Sequence, residues 1–485
     1  MKVRSADSVA AEPQGHQFHG WKSKCVNPAS RWAVSSMKSM STAGDRDWSS
    51  SRTSLYLIVA WVLVGGGAAL LVGTYEPAAL LLVTTGTLVA VAAVFFLSSP
   101  SAFGRWFLLL PFVVTAVVEI RYPFSTTPGY PWSIAVLVMN LVATLVIAIG
   151  IARSLGPRCG SLRFLVLIAL AGASGIATVI SFPSPQNDVW HMYQAAANAT
   201  LHGHNFYLTH WADSFPGEVS NQFDYLPVSS LLLTPFFFVF GDVRFGLLAA
   251  TLFASWCSYK TVGPRYGWIS AGLILIVPGI DFGLVQSWND PLLLAGISAM
   301  VLAVHRRRLT WATVAFAVVL STKQYAWLFW PLAALWRDFG WRRALVAAGA
   351  AVVTVLPWAL AAPGTFWHSV VVYNFKLRPR LDSLSIYTAL MRRGIDPGYA
   401  FIALLVVISL GIAILAVRRH GLFGFVVGCA IAMAGFNLAS KQSFYNEWEL
   451  SVGLLAMAVG LSLERDAEHS VSEVELDRAE THASI

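Results

Sequence analysis

The sequence predicts an all-α polytopic membrane protein with about 13–15 transmembrane or re-entrant helices. Composition gives two reasons: 56% of the 485 residues are hydrophobic, and only 12% are charged. Soluble domains carry about 25% charged residues. The third reason is a series of apolar runs of about 20 residues, a length that crosses a bilayer as a helix with all its backbone hydrogen bonds made internally.

Polar segments stand at both ends of the chain. Residues 1–53 are rich in Ser and lack the apolar stretch of a signal peptide, so we predict a disordered cytoplasmic tail. The short acidic segment 464–485 is predicted to be a second disordered cytoplasmic tail.

The region 54–182 is predicted to hold the N-terminal transmembrane helices. Its apolar runs are 54–73, 78–97, 106–120, 132–152 and 163–182. If the N-terminus is inside, five crossings bring the segment 183–226 to the outer side. That segment contains no Lys or Arg, as the positive-inside rule requires of an outer loop.

The remaining membrane region, 227–463, opens with the short apolar run 227–241, which has Pro235 in its middle. Because proline interrupts the helical hydrogen-bond ladder, we predict a re-entrant or strongly kinked element there. The further runs are 243–258, 268–283, 291–304, 309–322, 324–336, 343–361, 399–417, 421–439 and 448–463. This arrangement places the basic cluster 305-HRRR-308 in the cytoplasm, again as the rule requires.

One predicted outer loop, 362–398, is basic. Its cations are Lys376, Arg378, Arg380, Arg392 and Arg393. Two explanations stay open: long loops escape the positive-inside rule, or these side chains bind a lipid phosphate.

Asp188 stands where the chain leaves the bilayer after the fifth run. It heads a helical pattern that ends near Gly203, and we expect this helix to lie in the outer interface with Trp190 and Tyr193 as anchors. In one interpretation, Asp188 or Asn187 only caps the helix. In the other, Asp188 is a general base whose pKa is raised by partial burial.

Two further polar islands interrupt apolar sequence on the same predicted side. The first, 283-GLVQSWND-290, is either a simple turn or a lining of a cavity, because polar groups at membrane depth are costly unless they face one. The second is Lys323, whose ammonium either snorkels to the interface or holds a phosphate. A last island, 437–450, contains Tyr445 and Glu447. We expect one outward-facing pocket to gather all of these islands.

A divalent metal is possible but not assigned. The loop 183–226 offers His202, His204, Asp213, Glu218 and Asp224, but their spacing matches no metal motif such as H-E-x-x-H. The four cysteines lie far apart and form no C-x-x-C, so we predict neither a zinc site nor a disulfide framework.

These motifs resemble those of the GT-C glycosyltransferases. The stretch from Asp188 to Tyr207 is similar to their first outer loop, and 225-YLP-227 is similar to the Tyr-Pro-Pro element that follows it. The run from Gly283 to Asn289, followed by a basic turn and Lys323, resembles the middle of glycosyltransferase family 87. The resemblance covers roughly residues 183–450, and the order of the motifs carries it.

The resemblance implies a GT-C-like fold and a multi-pass enzyme of the cell membrane with an extracytoplasmic active site. Such an enzyme moves a sugar, mannose or arabinofuranose in this family, from a polyprenyl-phosphate donor to a glycan or glycolipid acceptor, with inversion. Its partners are the donor, the acceptor and the lipid bilayer. No nucleic acid is implied, because the net charge of +8 reflects basic cytoplasmic loops.

The resemblance also implies roles for individual residues. Asp188 would be the catalytic base. The donor phosphate would be bound by Lys323, Arg378 and Arg380. Candidates for binding the sugar or the acceptor are His202, Tyr207, Gln286, Asn289 and Tyr445.

Two other functions stay open. A transporter or lipid flippase would also use buried charges and an outward cavity, although the sequence shows no strong internal repeat of the kind many transporters have. A non-catalytic scaffold is the third reading.

The predicted topology can be tested by labelling. Single cysteines replacing Ser214 and Arg307, in a background without native cysteines, should react with an impermeant reagent from opposite sides of the membrane, because the Lys and Arg distribution orients the chain. Labelling of both positions on intact cells would contradict the topology.

Overall fold

The computed structural model describes residues 50–95, 100–101, 105–121, 133–153, 157–185, 187–209 and 222–483. These residues form a bundle of apolar α-helices, which confirms the predicted fold class of an all-α polytopic membrane protein. Most of the predicted N-terminal tail and the candidates Asp213 and Glu218 lie outside the described residues.

The first part of the chain follows the predicted runs closely. Its helices are α1 (Arg52–Ala69), α2 (Pro77–Phe95), α3 (Leu110–Arg121), α4 (Ser133–Arg153) and α5 (Pro157–Ser181). Two dipeptides, β1 (Ser50–Ser51) and β2 (Pro100–Ser101), form a single antiparallel pair.

The second part is built from helices of very different lengths. They are α6 (Asp188–Leu201), α7 (Pro227–Phe240), α8 (Arg244–Val262), α9 (Gly267–Leu275), α10 (Ile280–Val285), α11 (Asp290–His305), α12 (Leu309–Leu320), α13 (Trp330–Leu335), α14 (Trp341–Ala361), α15 (Pro363–Trp367), α16 (Tyr373–Lys376), α17 (Ile386–Met391), α18 (Gly398–Ala439) and α19 (Tyr445–Ala483). Within the described ranges, six helices are long and apolar enough to cross a membrane, or seven if α7 and α8 together count as one span. The six are α1, α2, α4, α5, α14 and α18.

The sharp bend predicted near Pro235 occurs six residues later, at Gly241. Helix α7 runs through Pro235 and ends at Gly241, whose φ of 75° is in the left-handed region. The axes of α7 and α8 then differ by 116°, the geometry of a broken span or a re-entrant loop. Glycine supplies the reversal because it adopts positive φ without steric cost, so the element is bent as predicted but at a different residue.

The predicted run 268–283 is not one helix. It ends as α9 at Leu275, and the chain turns at Pro278 and Gly279, where φ is 87°, before the short helix α10. Proline lacks an amide donor and glycine adopts left-handed backbone, so the two together end the helix. After this break the chain passes through the polar island 283–290, whose last residue, Asp290, begins α11.

The long helix α18 is in fact a helical hairpin, as the two predicted runs around 418-RRH-420 require. Gly421 has φ 56° and ψ −123°, which are not helical. The two arms approach so closely that a Cβ on Gly424 would lie 2.0 Å from the carbonyl oxygen of Ala416. Small residues permit such close contact between membrane helices.

The predicted disorder from Glu464 differs from the structure, since α19 continues to Ala483. The segment is rich in Glu, Ala and Arg, which have high helix propensity, and it extends a helix that has already nucleated.

The two ends of the bundle are defined by α1 and α19. At one end, Ser54 Oγ donates a 2.6 Å hydrogen bond to Asp466 Oδ2. At the other, Gly73 lies directly against the backbone of Tyr445. Helix α1 has 18 residues, so the ends are separated by roughly 27 Å, close to the thickness of the hydrocarbon core.

The basic turns share the Asp466 end. Arg307 pairs with Asp338 at 3.2 Å, and Arg465 of α19 lies 5.6 Å from the ring centre of Phe423, just after the basic turn of α18. The polar islands are at the Tyr445 end, where the Tyr75 amide donates to the Asp382 carbonyl at 2.7 Å. The basic turns and the candidate site therefore lie at opposite ends of the bundle.

The α18 hairpin gives a stability prediction. Gly424→Ala should lower the free energy of unfolding by about 1–3 kcal/mol, because the new methyl group collides with backbone that cannot rotate away. Gly411→Ala is the matched control in the same helix: nothing lies within 4 Å of a Cβ there, so this change should be neutral or stabilising by up to about 1 kcal/mol. Unfolding in detergent measures both, and equal effects would contradict the close packing.

Candidate active site

Helix α6 begins with a cap made by Asn187, not by Asp188. Asn187 Oδ1 accepts hydrogen bonds from the amides of Val189 and Trp190 at 2.8 and 3.3 Å. Asp188 is the first helical residue, and its Oδ1 accepts from the Val189 amide at 2.9 Å. Because the cap is already provided, the carboxylate of Asp188 is not needed for that role.

Asp188 is half-buried, and its surroundings shift the pKa of its carboxyl group. Burial raises the pKa of the carboxyl above its ordinary value. Hydrogen bonds from backbone amides oppose this shift, and so do the charges of Arg380 and His191. A carboxylate with a raised pKa is a better proton acceptor than an exposed one.

A second carboxylate, Asp224, lies within electrostatic reach of Asp188. Burial, together with the charge of Asp188, raises the pKa of Asp224 to about 7, and the charge of Lys323 opposes this shift. Asp224 Oδ1 is out of contact with solvent and accepts no hydrogen bond within the described structure. The loop is held in place by Gln324, whose Nε2 donates to the Asp224 carbonyl at 2.6 Å.

Lys323 forms a buried ion pair with Asp290. The Nζ atom is 3.0 Å from Asp290 Oδ2, and the two side chains are only 6% and 1% exposed. The Tyr325 hydroxyl donates to the other carboxylate oxygen, and Asn446 Nδ2 lies 3.4 Å from Oδ2. One carboxylate thus joins the start of α11, the turn after α12 and the start of α19.

Aromatic rings cover the same region. Tyr193 of α6 stacks on Tyr225, with ring centres 5.6 Å apart and planes 9° from parallel. Asn289 Nδ2 donates to the Tyr193 hydroxyl at 2.6 Å, and Lys323 Nζ lies 5.3 Å from the centre of the Tyr225 ring. The polar islands that are separate in sequence are therefore in mutual contact, whereas the outward-facing pocket stays a prediction.

Two predicted sugar-binding residues, His202 and Tyr207, lie close to backbone carbonyl groups. His202 follows the last residue of α6, about 20 Å along the helix from Asp188, and its Nδ1 is 2.8 Å from the carbonyl of Asn198. Tyr207 is buried, and its hydroxyl donates to the Tyr225 carbonyl at 2.7 Å. Both side chains therefore contact backbone carbonyls, and their roles in binding a sugar or an acceptor stay predictions.

The other predicted residues differ in how accessible they are. Gln286 is half-buried at the end of α10, next to Ser287, whose φ of 60° marks a strained turn. Asn289 is buried, and its Oδ1 has no partner within the described structure. Tyr445 is also buried; its ring stacks on Trp288 at 5.9 Å, and its hydroxyl is likewise without a described partner.

The two predicted arginines are exposed beside this region. Arg380 binds Asp382 through two hydrogen bonds of 2.6 and 3.0 Å, and its guanidinium lies 4.6 Å from the ring centre of Phe444. The backbone carbonyl of Arg378 accepts from Gln442 Nε2 at 2.9 Å, which fixes the loop while the side chain stays exposed.

Sequence reasoning overlooked Tyr325, Asp382 and Glu449. Tyr325 follows Lys323 by two residues, and Glu449 lies one helical turn after Tyr445, so spacing alone could have associated them. Asp382 gave no signal, because its pairing depends on the path of an irregular loop.

The described residues contain no group of three or more His, Cys, Asp or Glu side chains arranged to hold a metal ion. No protein-family model, curated protein or solved structure matches this chain. The site is therefore interpreted from its own chemistry.

The buried ion pair can be tested by a double-mutant cycle. Lys323→Met should lower the free energy of unfolding by about 3–5 kcal/mol, because it leaves the Asp290 carboxylate buried and unpaired. Adding Asp290→Asn should recover most of the loss. Arg307→Met is the control, since its pair is 76% and 41% exposed and should contribute about 0–1 kcal/mol. Additive losses at Lys323 and Asp290 would contradict the pairing.

Asp224 gives a pH-dependent prediction. Its pKa is about 7 in the folded protein against an ordinary 3.8, so the folded state binds a proton in this window that the unfolded state does not. Stability from this group is therefore lost as pH rises from 4 to 7. In detergent, the thermal midpoint of Asp224→Asn relative to that of the wild type should increase across this range. Asp338→Asn, at the opposite end, should show no such trend; an identical trend would refute the assignment.

Proposed function

We propose that this protein is a membrane glycosyltransferase that moves a sugar from a polyprenyl-phosphate donor to a glycan or glycolipid acceptor on the extracytoplasmic side. The observation that carries the proposal is the half-buried Asp188, which is free of the capping role and lies within reach of a second carboxylate and an exposed arginine. It is also at the end of the bundle away from the basic turns.

The proposed chemistry is a single displacement in which Asp188 is the base. An acceptor hydroxyl attacks the anomeric carbon, and Asp188 accepts its proton. The bond from the anomeric carbon to the phosphate oxygen breaks, and the polyprenyl phosphate leaves with the electron pair. The phosphate is already a stable anion, so no strong acid is required. Cations near it stabilise the developing charge.

The arginines are the more accessible cations for this phosphate. Arg378 and Arg380 are exposed, and Arg380 is electrostatically coupled to Asp188. Lys323 is already neutralised by Asp290. Its proposed role therefore shifts from direct phosphate binding to holding the site together and keeping Asp224 more ionised than burial alone would allow.

The surroundings of Asp188 also match its proposed substrates. The donor is anchored in the bilayer and the acceptor comes from water, so the reaction needs a base at the boundary of the two. Helix α6 presents Asp188 in its first turn, while the buried residues Val189 and Met192 anchor the helix on the bundle. The mannose or arabinofuranose donors of family 87 are the proposed sugar sources.

One observation favours a transporter as the second candidate. The chain between α9 and α11 is broken at positive-φ residues and carries the buried carboxylates Asp281 and Asp290 inside the bundle. Discontinuous helices with buried charges are typical of ion-coupled transporters. Uptake of a solute into proteoliposomes, without release of polyprenyl phosphate, would favour this candidate over the enzyme.

The glycosyltransferase proposal is tested at Asp188. Asp188→Asn should keep the fold and donor binding but lower the rate of sugar transfer by about 10²–10⁴-fold, the usual contribution of general-base catalysis. Because Asn187 supplies the cap, thermal stability should be nearly unchanged. The assay measures release of polyprenyl phosphate from polyprenyl-phosphate mannose or arabinofuranose by protein in lipid.

The control for this experiment is Asp338→Asn, which removes a carboxylate at the opposite end and should leave transfer unchanged. Rate and stability are to be measured on the same preparation, so that misfolding is not mistaken for lost chemistry. A folded Asp188→Asn protein with normal turnover would remove Asp188 from the mechanism.

A further inference from the structure

A basic surface lies at the candidate-site end of the bundle, in the chain segment 375–399. The segment has two carboxylates and five exposed cations, so it carries a surplus of three positive charges. The carboxylates are Asp382 and Asp396, and the cations are Lys376, Arg378, Arg380, Arg392 and Arg393. The positive-inside rule does not explain this surplus, because the basic turns that the rule describes lie at the opposite end.

Two strips of this segment, 375–381 and 392–399, lie side by side. Arg392 Nε donates a 2.7 Å hydrogen bond to the Leu381 carbonyl, and the Tyr399 hydroxyl donates a 2.6 Å hydrogen bond to the Phe375 carbonyl. These two contacts join the strips at their opposite ends. The cations of both strips therefore belong to one surface, which we call the basic patch.

Lys441 fixes the basic patch from a third segment of the chain. Its Nζ donates to the carbonyls of Phe375 and Leu377 at 3.1 and 3.2 Å, and to the Tyr399 hydroxyl at 2.7 Å. All three acceptors are neutral. The hydrogen bonds therefore hold the strips together without cancelling the charge of the ammonium group, which adds to that of the patch.

The carboxylates of the segment balance only part of this charge. Asp382 forms an ion pair of 2.6 Å with Arg380. Asp396 Oδ1 accepts hydrogen bonds from the Tyr387 hydroxyl at 2.9 Å and from the Gly398 amide at 3.0 Å. Lys376 and Arg393 form no ion pair with an acidic side chain of the described residues.

Exposed apolar side chains show where the basic patch lies relative to the bilayer. Phe375, Leu381 and Ile395 are each more than half exposed among the cations. Tyr399 is in the first turn of α18, a candidate membrane span, and the exposed Leu404 lies about 7.5 Å further along the same helix. The patch therefore borders the start of a lipid-facing span, where phospholipid headgroups meet the protein.

We propose that the basic patch binds anionic phospholipids of the leaflet at the candidate-site end. Lys376 and Arg393 would contact the headgroup phosphates, while Phe375 and Ile395 would contact the upper part of the acyl chains. Cations near an anionic membrane surface are attracted to it, and Lys and Arg side chains reach readily to headgroup level. A water-soluble polyanion would match the charges but not the exposed apolar side chains.

The inference is independent of the proposed sugar transfer. The donor phosphate is assigned to Arg378 and Arg380, whereas Lys376 and Arg393 have no role in that chemistry. Binding of phospholipid is also measured without any turnover.

The test places a photo-crosslinking amino acid at Ile395 of the full chain, in nanodiscs containing equal amounts of phosphatidylglycerol and phosphatidylcholine. Crosslinks to phosphatidylglycerol should exceed those to phosphatidylcholine by about tenfold, because each cation near the headgroup contributes roughly fivefold. The matched control has the same amino acid at Leu145, which is 57% exposed in the middle of α4. It should crosslink both lipids equally.

Charge-removing variants identify the side chains responsible. Lys376→Gln combined with Arg393→Gln should bring the two lipids to near parity at Ile395, while Lys376→Arg should keep the preference. Because these side chains are exposed, the thermal midpoint should stay that of the wild type. Arg306→Gln combined with Arg308→Gln, at the opposite end, should leave the crosslinking at Ile395 unchanged.

Two results would overturn the proposal. One is equal crosslinking of the two lipids at Ile395 in the otherwise wild-type chain, and the other is an unchanged preference in the Lys376 and Arg393 double variant. Polyprenyl phosphate, added in an amount equal to that of phosphatidylglycerol, should leave the crosslinks in place. If it displaced them completely, the patch would be part of the donor site and the assignment to phospholipid would be wrong.

Discussion

The polar end of this protein depends on the buried ion pair between Lys323 and Asp290. Two segments far apart in sequence donate to the Asp290 carboxylate: one contributes Lys323 and Tyr325, and the other contributes Asn446. In a low-dielectric interior neither charge is stable alone, so the pairing fixes the relative positions of the segments that carry it. The loop with Asp224 is then tied to the same turn through Gln324.

Asp188 and Asp224 acquire their properties from that framework. Two carboxylates in a partly dehydrated region repel each other, and burial raises the pKa of both. The charge of Lys323 opposes the rise in the pKa of Asp224, and the charge of Arg380 opposes the rise at Asp188. Such a balance keeps a proton acceptor available near neutral pH, which is what a base acting on a sugar hydroxyl requires.

Breaks in helices contribute to the polar interior of the bundle. Gly241, Gly279 and Gly421 turn the chain at positive φ, and the buried side chains of Asp281 and Asp290 follow the break at Gly279. The breaks therefore add polar groups to an interior that continuous helices also supply, for example through Ser174 and Thr178 of α5.

The sequence by itself determined the membrane class and most helix positions, because apolar length, proline, glycine and the placement of Lys and Arg are local properties. Tertiary structure alone decided that Lys323 is neutralised by Asp290, that the Tyr207 hydroxyl holds a backbone carbonyl, and that His202 lies far from Asp188. These outcomes depend on which side chains meet across helices, and the spacing of residues along the chain carries no information about such contacts.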